Sequence, residues 1–479
     1  MTTTSESTAS GRVEAALETR GIEPVPVEER HGRPAQLFWV WFAANISILG
    51  LPLGATLVAL GLTVWQAVIV AAIGSVGSFA IVGAVSIAGR RGGAPGLTLS
   101  RAVFGARGNI GPTAVSLISR LGWETVNTTT AAFALLSLCT ILFGASPAAA
   151  DHPVLTIACI AVFVLLTVVV SGLGHAVLVS VQRWATWVFG ALNIVVGAFL
   201  VATVDWAAVG AATPAPVGTM IAGVGIIAAG TGIGWANASA DVSRYQAPGV
   251  PAGSLVLSAA AGAGIPLVLL ISLGSMLAAG DPALADAGDP VAAIRAMLPT
   301  WMAVPYLVAA FGGLLLSNHL SVYSAGLTTL TLGLRMPRVY AVVVDVVVTF
   351  VGAIYFILVA DDFYGPFIAF ISLLAVPITA WVGVFATDML HRHHYAPAAL
   401  MDVRRTSAYW YRGGIEWRAV TAWAAAIVTG YLFVTAGPSG APWFSGPLAG
   451  SWLGENGLGW VITFVVAAGL YGALGGARR

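Results

Sequence analysis

Long apolar stretches alternate with short polar connections along most of the chain. Twelve of these stretches hold about 20 residues, the length that an α-helix needs to cross the hydrocarbon layer of a bilayer. The third is longer than a straight crossing requires, so we expect it to be tilted or to begin outside the hydrocarbon. The predicted spans lie near residues 36–60, 64–89, 113–143, 153–173, 181–203, 217–240, 253–278, 302–325, 338–359, 366–389, 418–435 and 456–474.

Charged residues in the connections predict the orientation of these spans. Arginines occupy both chain ends and every second connection, most densely the loops between spans 2 and 3 and between spans 10 and 11. The other connections, apart from the uncharged residues 61–63, carry acidic residues, and Arg295 is the one arginine among them. Arg120 lies inside span 3. Because cytosolic loops of membrane proteins are enriched in basic residues, we predict a multi-pass protein of the plasma membrane with both termini in the cytosol.

Composition agrees with this all-α integral membrane class. The chain of 479 residues is 58% hydrophobic and 9% charged, with a mean hydropathy of +0.90, whereas soluble proteins carry roughly 25% charged residues. A net charge of +1 gives no general attraction to nucleic acid. Cys139 and Cys159 both fall in apolar stretches, so no disulfide framework is expected. The sequence predicts no cofactor and no metal site, and it leaves the oligomeric state open.

Spans 1 and 6 both contain residues that interrupt a helix. Span 1 reads "FWVWFAANISILGLPLGATLVAL", and span 6 reads "IAGVGIIAAGTGIGWANASAD", with five glycines. The two spans are five apart and so run in opposite directions, which is typical of an inverted repeat whose broken helices meet at a midplane site. Glycine also serves close packing of membrane helices, which explains any one of these glycines. Their matching positions favour a binding site.

This repeat predicts the organisation of the chain. Residues 1–35 are expected to form a disordered cytosolic tail, and 36–389 the transport core. The core divides into a first repeat of about 36–203 and a second of about 217–389. A cytosolic loop, 390–417, and spans 11 and 12, 418–479, follow.

The end of span 6, "GWANASADVSRYQ", gathers polar groups that a membrane helix usually avoids. Where the helix unwinds, a water-filled cavity is tolerated, and we expect Trp235, Asn237 and Ser239 to line or border it. Asp241 and Arg244 lie further along. We expect them at the cytosolic interface, as part of a gate or as the end of the helix.

Several stretches together resemble the nucleobase–cation symporter family, and within it the purine/cytosine permease group. They are "WFAANISILGLPLG", "GLTLSRAVFGARGNIGP", "LGWETVN", "ADVSRY", "SNHLSVYSAGL" and "VPITAWVGVFATDMLHRHHY", in order over nearly the whole chain. The resemblance implies a leucine-transporter fold with two inverted five-helix repeats plus two peripheral helices. It also implies a secondary active transporter that imports a nucleobase together with a cation. The chain shows none of the catalytic motifs that a membrane enzyme would need.

Trp123 and Asn127 stand four residues apart in span 3, on one face of the helix. An indole offers a flat apolar surface, and a carboxamide offers both a donor and an acceptor, which together suit a nucleobase. Spacing alone is equally compatible with an aromatic residue packed in a bundle and an asparagine bonded across helices. The resemblance implies that both residues contact the base.

The same resemblance extends to other spans. It implies that Trp235 is a second aromatic ring against the base and that Asn318 in span 8 reads the edge of the base. Ser47 and Asn45 lie where span 1 is interrupted and complete the candidate substrate site. The expected substrate is planar and uncharged, cytosine or a purine; allantoin, uracil or a thiamine precursor are the alternatives.

Three titratable residues within spans are candidates for coupling. Glu124 adjoins Trp123 and is the first candidate for a proton carrier, although Arg120, one turn earlier, offers it a structural ion pair. Asp345 in span 9 and His319 in span 8 are further candidates, for which a cross-helix hydrogen bond is the alternative.

The coupling ion is predicted from what span 8 lacks. Sodium-driven members of the resembled family hold Na⁺ with carbonyls of span 1 and hydroxyls of span 8, because hard cations prefer oxygen ligands. Here the corresponding stretch, 309–316, reads "AAFGGLLL" and contains no hydroxyl. We therefore predict proton symport, with sodium symport as the alternative.

Overall fold

The computed structural model describes residues 20–144, 146, 148–173, 175–287, 289–334, 336–360, 364–437 and 442–476. Residues 1–19 of the predicted tail lie outside this set. So do five charged residues of loops or of the chain end that were used for the orientation: Arg335, Asp361, Asp362, Arg478 and Arg479.

Helices occur at all twelve predicted positions. Among the described residues, nine helices are long and apolar enough to cross a membrane, and the two halves of span 1 together make a tenth. Spans 11 and 12 are helices of 15 residues each, about 22 Å long at 1.5 Å per residue. The helices are Pro34–Asn45 and Gly50–Ala59 (span 1), Val64–Gly92 (2), Ile110–Phe143 (3), Pro153–Leu173 (4), His175–Ala202 (5), Val217–Gly230, Ile233–Ala238 and Ser239–Ser243 (6), Ala252–Gly280 (7), Thr300–Thr331 (8), Arg338–Leu358 (9), Tyr364–Met389 (10), Trp417–Tyr431 (11) and Gly459–Ala473 (12).

Short elements fill the connections. Short helices or helical turns lie at Val27–Glu29, Gly96–Phe104, Ala149–Asp151, Trp206–Ala211, Pro282–Asp286, Pro290–Ala296, Pro397–Met401 and Trp452–Glu455. Two short strands, Thr435–Ala436 and Phe444–Ser445, pair antiparallel between spans 11 and 12.

Contacts made by spans 1–5 are repeated by spans 6–10, with each span number raised or lowered by five. Span 1 packs on span 7, and span 6 packs in the same way on span 2, while spans 2 and 7 pack on each other. Span 3 contacts spans 9 and 10, just as span 8 contacts spans 4 and 5. This correspondence is what an inverted repeat of two five-helix units produces. Spans 11 and 12 pack on each other and on span 10.

Spans 1 and 6 are both broken, at equivalent positions in the two repeats. The halves of span 1 meet at an angle of 63° across residues 46–49. Span 6 leaves the α-helix at Thr231, where φ is −126° and ψ is −101°. It continues as the 3₁₀ helix Ile233–Ala238 before one further α-helical turn. Both breaks face the centre of the transport core, as the glycine-rich sequences predict.

The connection between spans 2 and 3 contains a buried helix, Gly96–Phe104. Its Arg101 donates hydrogen bonds to the carbonyls of Leu400, at 2.9 Å, and Thr331, at 2.8 Å. Burial lowers the pKa of Arg101 to about 10, so the guanidinium stays charged at neutral pH. One cation thus binds the end of span 8 and the short helix Pro397–Met401, which holds the helix Gly96–Phe104 against both.

The described part of the predicted tail is ordered, so the expectation of disorder is wrong for residues 20–33. Val25 N donates to the Gly93 carbonyl and Gly32 N to the Tyr245 carbonyl, each at 2.8 Å. The side chain of Arg30 is buried and bonds the Val25 carbonyl at 2.8 Å. Polar composition predicted a solvated tail, but the backbone of this stretch finds partners in the loops that follow spans 2 and 6.

Candidate substrate site

A small cavity lies where the two broken spans meet. Its volume is about 40 Å³, whereas ordinary small-molecule pockets measure roughly 300–1,000 Å³. Residues of spans 1, 3, 6, 7, 8 and 10 line it: Ala44, Asn45, Ser47, Leu49, Gly50, Leu53, Trp123, Asn127, Gly230, Trp235, Leu267, Ser317 and Phe367. Five of the six predicted substrate-binding residues are therefore in its wall.

Two aromatic pairs contribute to this wall through Trp123, Phe367 and Trp235. The Trp123 ring meets the Phe367 ring edge to face, with centroids 5.2 Å apart and planes at 83°. The Trp235 ring meets the Trp41 ring in the same manner, at 5.6 Å and 72°. Because each indole is held by a neighbouring ring, its orientation is set by packing.

Arg120 is fully buried next to this wall. Its guanidinium carbon lies 4.3 Å from the centroid of the Trp235 ring, a cation–π arrangement. Its Nη2 donates to the Gly234 carbonyl, while Nε and Nη1 have no hydrogen-bond partner among the described residues. The guanidinium thus fixes the 3₁₀ segment that carries Trp235, and it does so from outside the cavity lining.

The predicted amides form a chain across three spans. Asn127 Nδ2 lies 3.4 Å from Asn318 Oδ1, and Asn318 Nδ2 donates to Thr167 Oγ1 in span 4 at 3.2 Å. Asn127 lines the cavity, and its Oδ1 has no partner in the described part of the chain. Asn318 contacts Asn127 but is not among the lining residues. The two amides are therefore neighbours, and only Asn127 faces the cavity.

The interruption of span 1 contributes the remaining predicted residues. Asn45 Nδ2 donates to the Trp41 carbonyl at 2.8 Å, and Ser47 Oγ accepts from Leu49 N at 3.4 Å. Both side chains line the cavity. Both hydrogen bonds stay within span 1, and the bond of Ser47 partners the Leu49 N–H, which the break leaves outside a helix.

Glu124 is buried one helical turn from Arg120, but the two do not form the ion pair that spacing allows. Ser321 Oγ in span 8 donates to Glu124 Oε1 at 3.1 Å, and Oε2 has no partner among the described residues. The described ion pairs are Arg20–Glu29, Asp388–Arg392 and Asp402–Arg404. Arg120 binds the Gly234 carbonyl instead, which leaves one carboxylate oxygen of Glu124 available.

The other two candidates for coupling lie away from the cavity. Thr329 Oγ1 donates to Asp345 Oδ1 at 3.1 Å, and Asp345 Oδ2 is buried without a partner within the described residues. His319 lies against the backbone of Leu166, although neither ring nitrogen makes a hydrogen bond of ordinary geometry there. Both side chains are buried, at 2% and 1% exposure, so neither is a surface group.

The charges that end span 6 are buried by the protein, whereas the sequence prediction relied on the lower cost of charge at the cytosolic interface. Asp241 accepts from Gly96 N at 2.9 Å and from Ser324 Oγ at 2.7 Å. Arg244 donates to the Gly21 carbonyl at 2.8 Å and to the Tyr323 hydroxyl at 3.1 Å. Loops folded over this end of the bundle exclude solvent, so both charges join elements together.

Two further residues of this stretch border the site less closely than expected. Ser239 Oγ bonds Ser86 Oγ at 2.7 Å and the Val82 carbonyl of span 2 at 2.5 Å. Asn237 packs its carbonyl against Gly96, where a Cβ would lie 2.3 Å from the carbonyl oxygen. Neither residue lines the cavity.

Sequence reasoning missed three contributors to the site. Phe367 lies in an apolar stretch of span 10 and gives no distinguishing signal. Thr167, which orients Asn318, lies similarly in span 4. Arg120 was visible as a charge inside a span, but the (i, i+4) spacing pointed to Glu124 and not to the aromatic face of Trp235.

Solved structures of membrane transporters share the architecture of this chain. Mhp1, a nucleobase-cation-symport-1 family transporter, in a closed conformation with bromovinylhydantoin bound, superposes with a TM-score of 0.72 at 19% identity, over 97% of this chain and 95% of that chain. Its inward-facing conformation gives 0.69 at 18% identity, over 96% and 95%. MhsT in complex with L-phenylalanine gives 0.57 at 13% identity, over 92% and 99%. These likenesses show the leucine-transporter fold, which confirms the predicted fold of twelve spans with two inverted repeats.

Family membership follows from the sequence comparisons. Residues 24–452 match the model of the permeases for cytosine/purines, uracil, thiamine and allantoin. The putative purine-cytosine permease YxlA of Bacillus subtilis (strain 168) is 26% identical over 468 residues, which cover 95% of each chain. The chain belongs to this permease family, as its motifs predict. It is a multi-pass membrane transporter and not an enzyme.

Proposed function

We propose that this permease imports a flat, uncharged nucleobase, cytosine or a purine, across the plasma membrane together with a proton. One observation carries the proposal: Trp123, Asn127 and Trp235 converge on one cavity at the meeting point of both broken spans. Indole faces provide stacking surfaces for a base. The free Oδ1 of Asn127 provides an acceptor for an N–H group on its edge.

The cavity in this conformation supports transport by alternating access. A cavity of about 40 Å³ is well below the roughly 300–1,000 Å³ of ordinary small-molecule pockets, so this conformation leaves too little room for a base. Phe367 packs at a right angle against Trp123 and lines the same cavity. A base can therefore enter only when the residues around the cavity separate, as alternating access requires.

A neutral substrate fits the charges around the cavity. Arg120 lies close by, but its guanidinium faces the Trp235 ring and is not in the cavity wall. No charged side chain is among the lining residues that the structure describes. Uracil, allantoin or a thiamine precursor would meet the same requirements and are the alternatives that the transport assay must separate.

The contact between spans 1 and 8 supports proton coupling. A Cβ placed on Gly313 would lie 2.5 Å from the Ile46 carbonyl oxygen, at the break of span 1. Span 8 therefore presents backbone and no hydroxyl at the point where the released carbonyls of span 1 lie. Hydroxyl oxygens that a Na⁺ ion would prefer begin only at Ser317.

Glu124 supplies a group that can carry the proton. Its Oε2 is buried without a partner among the described residues, and an unpaired charge inside a membrane protein is expensive. A proton on this oxygen removes the charge. Because Glu124 directly follows Trp123, protonation and base binding occur on the same turn of span 3.

The experiment is uptake of radiolabelled bases into proteoliposomes that contain the purified protein. We expect concentrative uptake of cytosine or a purine under an inward proton gradient, its loss with a protonophore, and its survival when choline replaces Na⁺. Glu124→Gln should still bind substrate, measured by thermal shift, but should not concentrate it. Glu455→Gln, at an exposed carboxyl outside the cavity, is the matched control and should keep concentrative uptake.

Uptake that requires Na⁺ and ignores the pH gradient would refute proton coupling and would leave Glu124 a structural residue. If none of the bases is taken up, and allantoin or a thiamine precursor stabilises the protein against heat, the proposed substrate is wrong and that compound takes its place.

We further propose that both termini and the loop 390–417 face the cytosol, as the arginine distribution indicates. Labelling of single cysteines introduced at exposed loop positions of intact cells tests this orientation. Reaction of a cysteine at residue 405 with an impermeant reagent added outside would contradict it.

A further inference from the structure

A second and larger cavity lies outside the substrate site, between span 2 and span 12. Its volume is about 550 Å³. Span 10 and Ile233 of span 6 form its floor, while Ile81 of span 2 and Phe464 of span 12 belong to its walls. Nearly all of its lining is apolar, and Arg91 is the one charged residue among the described lining residues. We call this cavity the 2–12 groove.

The 2–12 groove has the depth of one leaflet of a bilayer. Its lining on span 2 runs from Ile81 to Arg91, ten residues or about 15 Å of helix. The hydrocarbon layer is about 30 Å thick, so the groove reaches from near its middle to one interface. At that interface Leu390 is 72% exposed. The dimensions match a single acyl chain that lies along the protein.

The mouth of the groove is basic. Arg91 Nη1 donates to the carbonyls of Met389, at 2.8 Å, and Arg392, at 3.2 Å. Its Nε and Nη2 make no hydrogen bond with the described residues, and they are not sealed from solvent. Two donors of a fixed fork therefore remain available for an anionic oxygen.

Neighbouring charges leave this mouth positive. Asp388 is the nearby carboxylate, but it is paired with Arg392 at 2.6 Å and also accepts from the Tyr471 hydroxyl at 2.9 Å. Arg90 bonds the Val250 carbonyl, and neither Arg90 nor Arg91 has a carboxylate within ion-pair distance among the described residues. The groove thus combines an apolar channel with an uncompensated cationic end.

We infer that the 2–12 groove binds an anionic phospholipid, with one acyl chain in the channel and the phosphate on Arg91. Basic pockets between membrane helices on the cytosolic side are suited to acidic headgroups. In the proposed orientation this lipid belongs to the cytosolic leaflet, although binding itself does not depend on the orientation.

The site is connected to the break in span 6. Ile233 contributes to the floor of the groove and belongs to the same 3₁₀ segment as Trp235, which lines the substrate cavity. A bound chain therefore contacts the segment that positions Trp235. We expect lipid occupancy to stabilise this segment, so that the anionic lipid raises the thermal stability of the protein.

The test is lipid binding by the purified full-length protein in detergent, measured by native mass spectrometry with phosphatidylglycerol or phosphatidylcholine added. We expect wild-type protein to bind phosphatidylglycerol in preference to phosphatidylcholine. Arg91→Gln should weaken phosphatidylglycerol binding about fivefold, the effect of removing one arginine at a membrane surface. Arg405→Gln, an exposed loop arginine outside the groove, is the charge-matched control and should bind as wild type does.

The channel is tested separately from the charge. Ala386→Phe, with Ala84→Phe as a second variant if the first does not fold, fills the groove and should also reduce phosphatidylglycerol binding. Equal binding of both lipids by wild type, or unchanged binding in Arg91→Gln or in the folded filling variant, would overturn the proposal. Full displacement of the lipid by free glycerol phosphate would do the same, since the site would then recognise phosphate alone.

Discussion

The two broken spans occupy equivalent positions in the inverted repeats, yet they are held by different interactions. The break in span 6 is bound to span 2 by hydroxyl groups: Ser78 Oγ lies 3.2 Å from Thr231 Oγ1 and accepts from Gly232 N at 3.1 Å. The break in span 1 has no such bond to a neighbouring span among the described residues. Its Ser47 accepts a hydrogen bond from within span 1.

Close backbone contact holds span 1 instead. A Cβ on Gly54 would lie 2.0 Å from the Ile271 carbonyl oxygen of span 7, and one on Gly313 would lie 2.5 Å from the Ile46 carbonyl oxygen. Such contacts depend on the absence of a side chain. Ser275 Oγ of span 7 also donates to the Gly54 carbonyl at 3.0 Å, beyond the break itself.

Span 6 makes a similar close contact at Gly232, where a Cβ would lie 2.4 Å from Ser78 Oγ, but its break adds the hydroxyl partners that residues 46–49 lack. The two breaks should therefore respond to different kinds of substitution, and span 6 should also supply the stacking surface for the substrate.

The largest effect is expected from replacing the aromatic residues that offer a stacking surface to the substrate. Trp235→Ala should weaken nucleobase binding about 5- to 150-fold, because a stacked aromatic ring contributes roughly 1–3 kcal/mol per base. Trp123→Ala should act similarly, and Trp235→Phe should recover part of the affinity. Binding is measured by thermal shift or scintillation proximity with purified protein.

Trp184→Ala is the control for this series, since Trp184 is 68% exposed and lies outside the cavity. Normal substrate affinity in both Trp123→Ala and Trp235→Ala would show that the cavity is not the binding site.

A volume increase at the break of span 1 should have the next largest effect. Gly313→Val introduces carbons where a Cβ already overlaps the Ile46 carbonyl, and overpacking typically costs about 1–3 kcal/mol. We expect a clear loss of thermal stability, measured by fluorescence-detected size-exclusion chromatography after heating. Gly77→Val is the matched control, because a Cβ at Gly77 would meet no atom within 4 Å. Equal stability of the two variants would remove the distinction between the breaks.

The smallest effects are expected when one serine at each break is replaced by alanine. Ser78→Ala leaves the Gly232 N–H and the Thr231 hydroxyl short of a partner, and a buried unsatisfied group costs about 1–3 kcal/mol. Ser47→Ala removes a long bond within span 1 at the edge of the cavity and should cost less than about 1 kcal/mol. The melting temperatures of the two variants in the same detergent give the comparison. A larger loss for Ser47→Ala would reverse our assignment of polar and apolar contacts.

Much of the architecture was readable from the chain because a bilayer restricts the options. A segment that crosses hydrocarbon must satisfy its own backbone, so apolar length alone locates helices. All twelve predicted positions hold helices, and both glycine-rich spans break where their sequences indicate. Local polarity was a weaker guide for residues 20–33, since composition gives no information on whether a folded neighbour will offer hydrogen-bond partners.

The candidate site could be predicted only in part, because many of its contacts join residues far apart in the chain. Residue type and spacing, together with the resemblance to the symporter family, marked Trp123, Asn127 and Trp235, which line the cavity. Sequence spacing also suggested that Arg120 pairs with Glu124, whereas the fold places the Arg120 guanidinium over Trp235 and a hydroxyl of span 8 beside Glu124. Those partners are far apart along the chain, so no local pattern contains them.

The sequence by itself therefore determined the spans, the alternation of basic and acidic connections between them, the two breaks and the residue types that suit a base. The tertiary structure decided which buried charge faces which partner, how span 8 closes on the break of span 1 at Gly313, and where the 2–12 groove opens beside Arg91. The physical reason is that helix formation in a membrane depends on residues close in the chain. Contacts between helices depend on how side chains from distant spans fit together, and only the assembled bundle specifies that fit.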